Sequence, residues 1–167
     1  MPDFRAVPAH VGPGCVERLG GTGPGRTCGR FGVLKGEAAV VVHVVKLGSA
    51  RSKGEGVRIG TVRRPPRGVP KSEFAARDWY DGWFPTLAPS VETLKLGREA
   101  ATPAEWAGFF RKYRAEMAAP DADHALELLA ALSHHANFSV GCYCEDEAHC
   151  HRSVLRTLLA EKGARVE

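Results

Sequence analysis

FSVGCYCEDEAHCHRSVLRTLLAEKG, residues 138–163, joins an apolar run to an amphipathic one, and the fold class follows from that junction. Phe138 to Cys144 has strand character. Beyond Cys150, Val154, Leu155, Leu158 and Leu159 recur at helical spacing, and Gly163 stands where a helix ends on its C′ residue. A strand running through a short loop into a helix is the building unit of an α/β domain. The same stretch places Cys142, Cys144, His149, Cys150 and His151 within ten residues, with Arg152 next in line.

Upstream, EAAVVVHVVKL (37–47) is β-branched and apolar on both faces, which predicts a buried strand with His43 as a core histidine. A second strand is expected over 57–62, because Pro65 and Pro66 cannot donate to a ladder and must end it. SEFAARDWYDGWFPTLAPS (72–90) predicts one short helix with Ser72 as N-cap, then an aromatic turn. Thr102-Pro103-Ala104-Glu105 has the spacing of a capping box, with Pro at the first helical position. The helix it opens carries Trp106, Phe109, Phe110, Tyr113 and Met117 on one stripe. Pro120 and Asp121 start another helix, with Ala125, Leu128, Leu129 and Leu132 on its apolar side, and Arg165 and Val166 begin a last strand. Strands alternating with helices predict a small single α/β domain over residues 36–167, its sheet largely parallel and flanked by helices. Residues 1–35 have Gly or Pro every few positions and no apolar period, so they read as a poorly ordered extension with Cys15 and Cys28 as free thiols.

Composition agrees with one core: 167 residues, 44% hydrophobic, leave little room for a second. No run reaches the roughly 18 apolar residues of a membrane span, and the opening lacks a signal peptide's basic-then-apolar order, so a cytoplasmic protein with no membrane partner is expected. Five cysteines, an odd count without an export signal, favour reduced thiols or metal ligands over a disulfide framework. The net charge is only +4, yet Lys46 to Lys71 holds eight basic residues against Glu55 alone, which leaves the rest net acidic. A local basic patch suggests an anionic small molecule or a nucleic acid as partner.

Four motifs in order carry a resemblance: RPPRGVPK (64–71), the aromatic segment ending LAPS (87–90), WAGFFRKYRAEM (106–117), and the strand leading to Cys-x-Cys, Cys-His-Arg and a helix. Together they make the chain resemble the "domain of unknown function 488" family over about Val40 to Ala164, in a subgroup with Cys-x-Cys and Cys-His-Arg. Many relatives carry an acidic residue and a Trp before the Pro-Arg-Gly, where this chain has TVRRPPRG. The resemblance implies an intracellular single domain with an α/β core, and it carries no reaction.

The residues offer three readings. Cys142, Cys144 and Cys150, with His149 or His151, supply the four soft or borderline ligands that zinc or iron takes, although Cys-x-Cys is a weaker signature than Cys-x2-Cys. Cys150, His151 and Arg152 form a candidate catalytic triplet, because a helix N-terminus, a neighbouring imidazole and a guanidinium each favour a thiolate. The spacing to Arg152 is not that of a Cys-x5-Arg phosphate loop, and Glu145, Asp146 and Glu147 would repel a phosphate. In the third reading Cys142 and Cys144 fill the core and His151 begins a buried helix face.

Of the basic bend, Arg58, Arg63, Arg64, Arg67 and Lys71 could track a nucleic-acid backbone. Alternatively Arg64, Arg67 and Lys71 bind one anionic ligand beside the Cys-His-Arg helix start, with Trp79, Tyr80, Trp83 and Phe84 as walls. Both features follow predicted strands, where α/β domains place their sites. The leading expectation is thus an enzyme-like or ligand-binding domain with an anion pocket; the rival is a non-catalytic metal-stabilised or nucleic-acid-binding module.

Overall fold

The computed structural model describes residues 40–167, so the expected 1–35 extension, with Cys15 and Cys28, lies outside the described residues. Four strands form one parallel sheet: β1 (Val42–Lys46), β2 (Val57–Gly60), β3 (Gly82–Trp83) and β4 (Phe138–Cys142), in the order β1-β4-β2-β3. The last strand in the chain is inserted between the first two, with Val140 in register with Val44 on one side and Ile59 on the other. All five of its residues are buried, as its near-continuous apolar run requires. The expected final strand is a single parallel bridge from Val166 to Val42.

Four α-helices complete the α/β domain: α1 (Val91–Glu99), α2 (Pro103–Met117), α3 (Pro120–Leu132) and α4 (His151–Glu161). The capping box forms as spelled: the Thr102 hydroxyl accepts the Glu105 N–H, and the Glu105 carboxylate accepts the N–H groups of Ala101 and Thr102 at 2.8 Å. Tyr113 and Met117 of α2, Leu126 and Leu129 of α3, and Leu155 and Leu159 of α4 pack on Val42, Val44, Phe138 and Val140. Each such aliphatic side chain contributes about 1.5–3 kcal/mol on full burial.

The alternate strand residues face the other way, and loops rather than helices cover them. Tyr80 lies over Gly60 so closely that a Cβ there would come within 2.5 Å of its ring. Beneath the loop after β1, Arg58 is 0% exposed and leaves the basic bend altogether. Its Nε and Nη2 each donate to the Glu55 carboxylate at 2.7 Å, and Nη1 donates to the carbonyls of Ser49 and Asp78. The Ser139 hydroxyl donates to the same carboxylate at 2.6 Å. Burial would raise the Glu55 pKa, but bonds from Arg58, Ser139 and the Ser52 N–H prevail and hold it down at about 2.

Residues 72–90 depart from expectation. Only two 3-10 turns, Lys71–Glu73 and Pro85–Leu87, are helical there, with β3 between them. The helix in this region comes later, as α1, where the Ser90 hydroxyl accepts the Thr93 N–H at 3.1 Å. Its only buried residue is Thr93, while Val91 and Leu96 are exposed, so it lacks a readable apolar stripe. His43 is half-buried, with Nδ1 3.5 Å from the Glu167 carboxylate, and so does not sit in the core. Among the described residues, no helix is long and apolar enough to cross a membrane.

Candidate functional site

β2 and β4 end side by side, and the Thr61 N–H donates to the Gly141 carbonyl at 2.9 Å just past the sheet. From Cys142 the chain loops through Cys144 and returns so that Cys150 is the N-cap of α4. That path gathers three thiols and an imidazole at the C-terminal edge of a parallel sheet, where α/β domains place ligands.

Cys142 Sγ lies 3.6 Å from Cys144 Sγ, and Cys150 Sγ lies 3.8 Å from His151 Nδ1. One ligand atom each from Cys142, Cys150 and His151, all three buried, falls within 4.8 Å of the others. His151 Nε2 sits 2.9 Å from the Thr61 carbonyl oxygen. A carbonyl only accepts, so Nε2 bears the proton and donates, leaving Nδ1 to face the Cys150 sulfur. Of the three thiols, Cys150 is the one shifted towards the thiolate. Hydrogen bonds from Cys142 and then Cys144 pull its thiol below the ordinary value against the cost of burial, and His151 adds to the pull. Contacts with Cys144 and then Cys150, together with burial, push the Cys142 thiol up.

Above the thiols opens a cavity of about 660 Å³, with Cys142, Cys144, Cys150 and His151 among its lining. Cys150 is only 1% exposed at its base, and Cys144 is exposed at its mouth. The rim is cationic: Arg63, Arg64, Arg67 and Arg98 all line the space, and no Asp or Glu does. Arg63 donates to the carbonyls of Ala88 and Pro89, which ties the basic bend to the start of α1. Among the described residues, Arg64, Arg67 and Arg98 have no ion-pair partner. The acids after Cys144 point elsewhere, since Glu145 pairs with Lys46, Asp146 with His149 and Glu147 with Arg156. None of the three lines the cavity.

The structure thus brings Arg64 and Arg67 to the same cavity as Cys150 and His151 and leaves other candidates outside it. Arg152 is 3% exposed, donates from Nη2 to the Cys144 carbonyl at 2.7 Å, and does not line the space. It braces the loop that carries Cys144. Lys71 borders a separate hollow with Ser72, Tyr80 and Asp81. His149 lines the cavity, but Asp146 holds its Nδ1 at 2.5 Å and its ring rests on Trp106. The imidazole nearest the thiols is His151, so the set able to hold a metal is Cys142, Cys150 and His151, with Cys144 beside it.

A model of the active DUF488-N3 subclade matches residues 42–163. The chain belongs to the DUF488 family. No curated protein and no solved structure matches it. The DUF488 match spans β1 to the end of α4 and so contains every residue of the cavity.

Of the expected walls in this DUF488 domain, Trp79, Tyr80, Trp83 and Phe84 do not line the cavity; Leu94, Trp106 and Phe109 do. Trp106 and Phe109 read as core stripe in the sequence, and Leu94 lies in a helix the sequence did not announce. Thr61 was missed because its contribution is a backbone carbonyl, which no side-chain pattern reports. Ser90 after Pro89 was the local signal that could have revealed α1 and, with it, Leu94 and Arg98.

Proposed function

We propose that this domain is a thiol-dependent, enzyme-like module that binds an anionic ligand of phosphate type. The observation that carries the reading is the division of one cavity between a thiol floor and an arginine rim that has no carboxylate among its lining residues. In this reading Arg64 and Arg67 attract and orient the anion, and Cys150 is the nucleophile. His151, fixed in one tautomer by Thr61, takes up or returns the thiol proton at Nδ1. The first N–H groups of α4 add a positive field at the same spot. The description of the matching subclade as active supports a catalytic role.

The test is binding of inorganic phosphate and a panel of small phosphorylated compounds by calorimetry, beside Arg64→Ala and Arg67→Ala. Retained folding with binding weakened at least about tenfold in each variant, a loss of about 1.4 kcal/mol, is expected. Binding that ignores both substitutions overturns the pocket. Turnover by the wild type that is lost in Cys150→Ser is the corresponding test of the nucleophile.

A second reading has its own observation. Zinc bonded tetrahedrally at about 2.3 Å to sulfur sets neighbouring sulfurs about 3.8 Å apart, close to the 3.6 Å between Cys142 and Cys144. A ligand His that donates its other nitrogen to a carbonyl is the usual outer-shell arrangement, and His151 has it. Zinc or iron on Cys142, Cys144, Cys150 and His151 would give a metal-stabilised, non-catalytic module. Metal analysis of protein purified without chelators separates the two: near-stoichiometric metal lost in Cys150→Ser favours this reading, and metal-free protein with a reactive thiol favours the first.

A further inference from the structure

We infer that the ligand of this cavity is an organic anion whose charged group is attached to an aromatic ring, and that Trp106 and Leu94 are specificity-determining residues. The inference rests on the anion reading above and adds the chemical class of the body that the anion carries.

Size comes first. A phosphate group fills a small part of the cavity of about 660 Å³, whereas pockets of about 300–1,000 Å³ enclose whole small-molecule ligands. Something besides the charged group has to displace water from the remainder.

The lining is also mixed in chemistry. The arginines of the basic bend line the space with the thiols, while α1 and α2 contribute the apolar residues Val91, Leu94, Trp106 and Phe109, and α1 adds Arg98 beside them. This apolar lining is not closed core. Val91 is 56% exposed, and Leu94 and Trp106 are half-buried, so apolar surface faces solvent beside cationic side chains. Covering it with an apolar ligand body is favourable, and a bare phosphate leaves it wet.

Two of the four apolar residues are rings, and Phe109, 4% exposed, backs Trp106 from the core. Trp106 packs edge-on against Phe109, with centroids 5.7 Å apart and an interplanar angle of 86°, and lies 4.7 Å from the His149 ring. The Asp146 bond fixes His149 from behind. Gly97 permits the arrangement, because a Cβ there would come within 2.9 Å of the Phe109 ring and push α1 off α2. Preset rings of this kind favour an aromatic partner over a flexible chain of equal carbon count, which must also lose rotamer freedom on binding.

The test compares inorganic phosphate, phenyl phosphate and hexyl phosphate on the full chain, by calorimetry and by quenching of tryptophan fluorescence, with Trp106→Ala, Trp106→Leu and Arg67→Ala as variants. Phenyl phosphate is expected to bind about tenfold or more tighter than inorganic phosphate, a step worth about 1.4 kcal/mol, and tighter than hexyl phosphate. Trp106→Ala should remove most of that advantage, lowering the affinity for phenyl phosphate far more than that for inorganic phosphate. Trp106→Leu, which keeps apolar packing, should bring phenyl and hexyl phosphate level. Phenyl phosphate no tighter than phosphate, with phosphate binding still dependent on Arg67, overturns the aromatic class and leaves the anion pocket standing. Hexyl phosphate equal to phenyl phosphate in the wild type overturns it too. Failure of all three to bind overturns the pocket itself.

Discussion

The Thr61 carbonyl oxygen accepts a hydrogen bond from Nε2 of His151 at 2.9 Å, across 90 positions of sequence. This contact joins the end of β2 to the first residue of α4 and decides which imidazole nitrogen faces Cys150.

With Cys150 pulled below its ordinary value, one thiolate is expected to persist well under the usual thiol pKa of about 8.5. The Cys142 bond is the largest contributor, so Cys142→Ala should raise the apparent pKa more than His151→Asn does. Ultraviolet thiolate titration and the pH dependence of alkylation measure both, and five ordinary thiol titrations in the wild type would refute the assignment.

Zinc offered to the reduced protein should bind at about one ion per chain and protect Cys150 from alkylation. His151→Ala should weaken this uptake and His149→Ala should not, because only His151 joins the buried cluster. The reverse order would move the metal set to the sequence-expected residue.

Phosphate binding should fall with rising salt and weaken in Arg64→Ala and Arg67→Ala, while Lys71→Ala stays near wild type, since Lys71 borders the other hollow. An equal loss in Lys71→Ala would argue for a diffuse basic surface of the kind that tracks nucleic acid.

Arg58→Met should be strongly destabilising, by about 3–5 kcal/mol in urea unfolding, because it strands the buried Glu55 carboxylate. The acid limb follows with its sign. Glu55 is depressed to about 2 from 4.5, so its contribution is complete above its unfolded value and is lost as pH falls through the folded one. In Arg58→Met the acid transition should move to higher pH.

Thr102→Ala removes one half of the capping box at an exposed helix start and should cost about 1 kcal/mol without touching ligand binding. A shift in phosphate affinity in this variant would mean that α2 transmits more to Trp106 than packing implies.

Local pattern was enough for much of this protein. The β-branched run made β1, the Thr102 to Glu105 box opened α2, and the apolar run into leucine spacing at 138–163 made β4 and α4. These are short-range effects of cap bonds, backbone preference and one-sided burial, all contained within a few residues. Clustering of Cys142, Cys144, Cys150 and His151 was legible for the same cause: one strand, one loop and one helix start hold all four. Partners distant in the chain were not legible. Insertion of β4 between β1 and β2 placed Thr61 on His151 and Ser139 on Glu55, and nothing near either residue specifies its mate. Arg58 read as part of the basic bend and Arg152 as part of a catalytic triplet, yet both are buried, because the loop paths that bring Glu55 and the Ser49 and Asp78 carbonyls onto Arg58, and the Cys144 carbonyl onto Arg152, are set by tertiary packing. The ring-lined wall likewise needed α1 to close on α2, since a half-exposed aromatic at helical spacing has the same sequence signature whether it faces a core or a ligand.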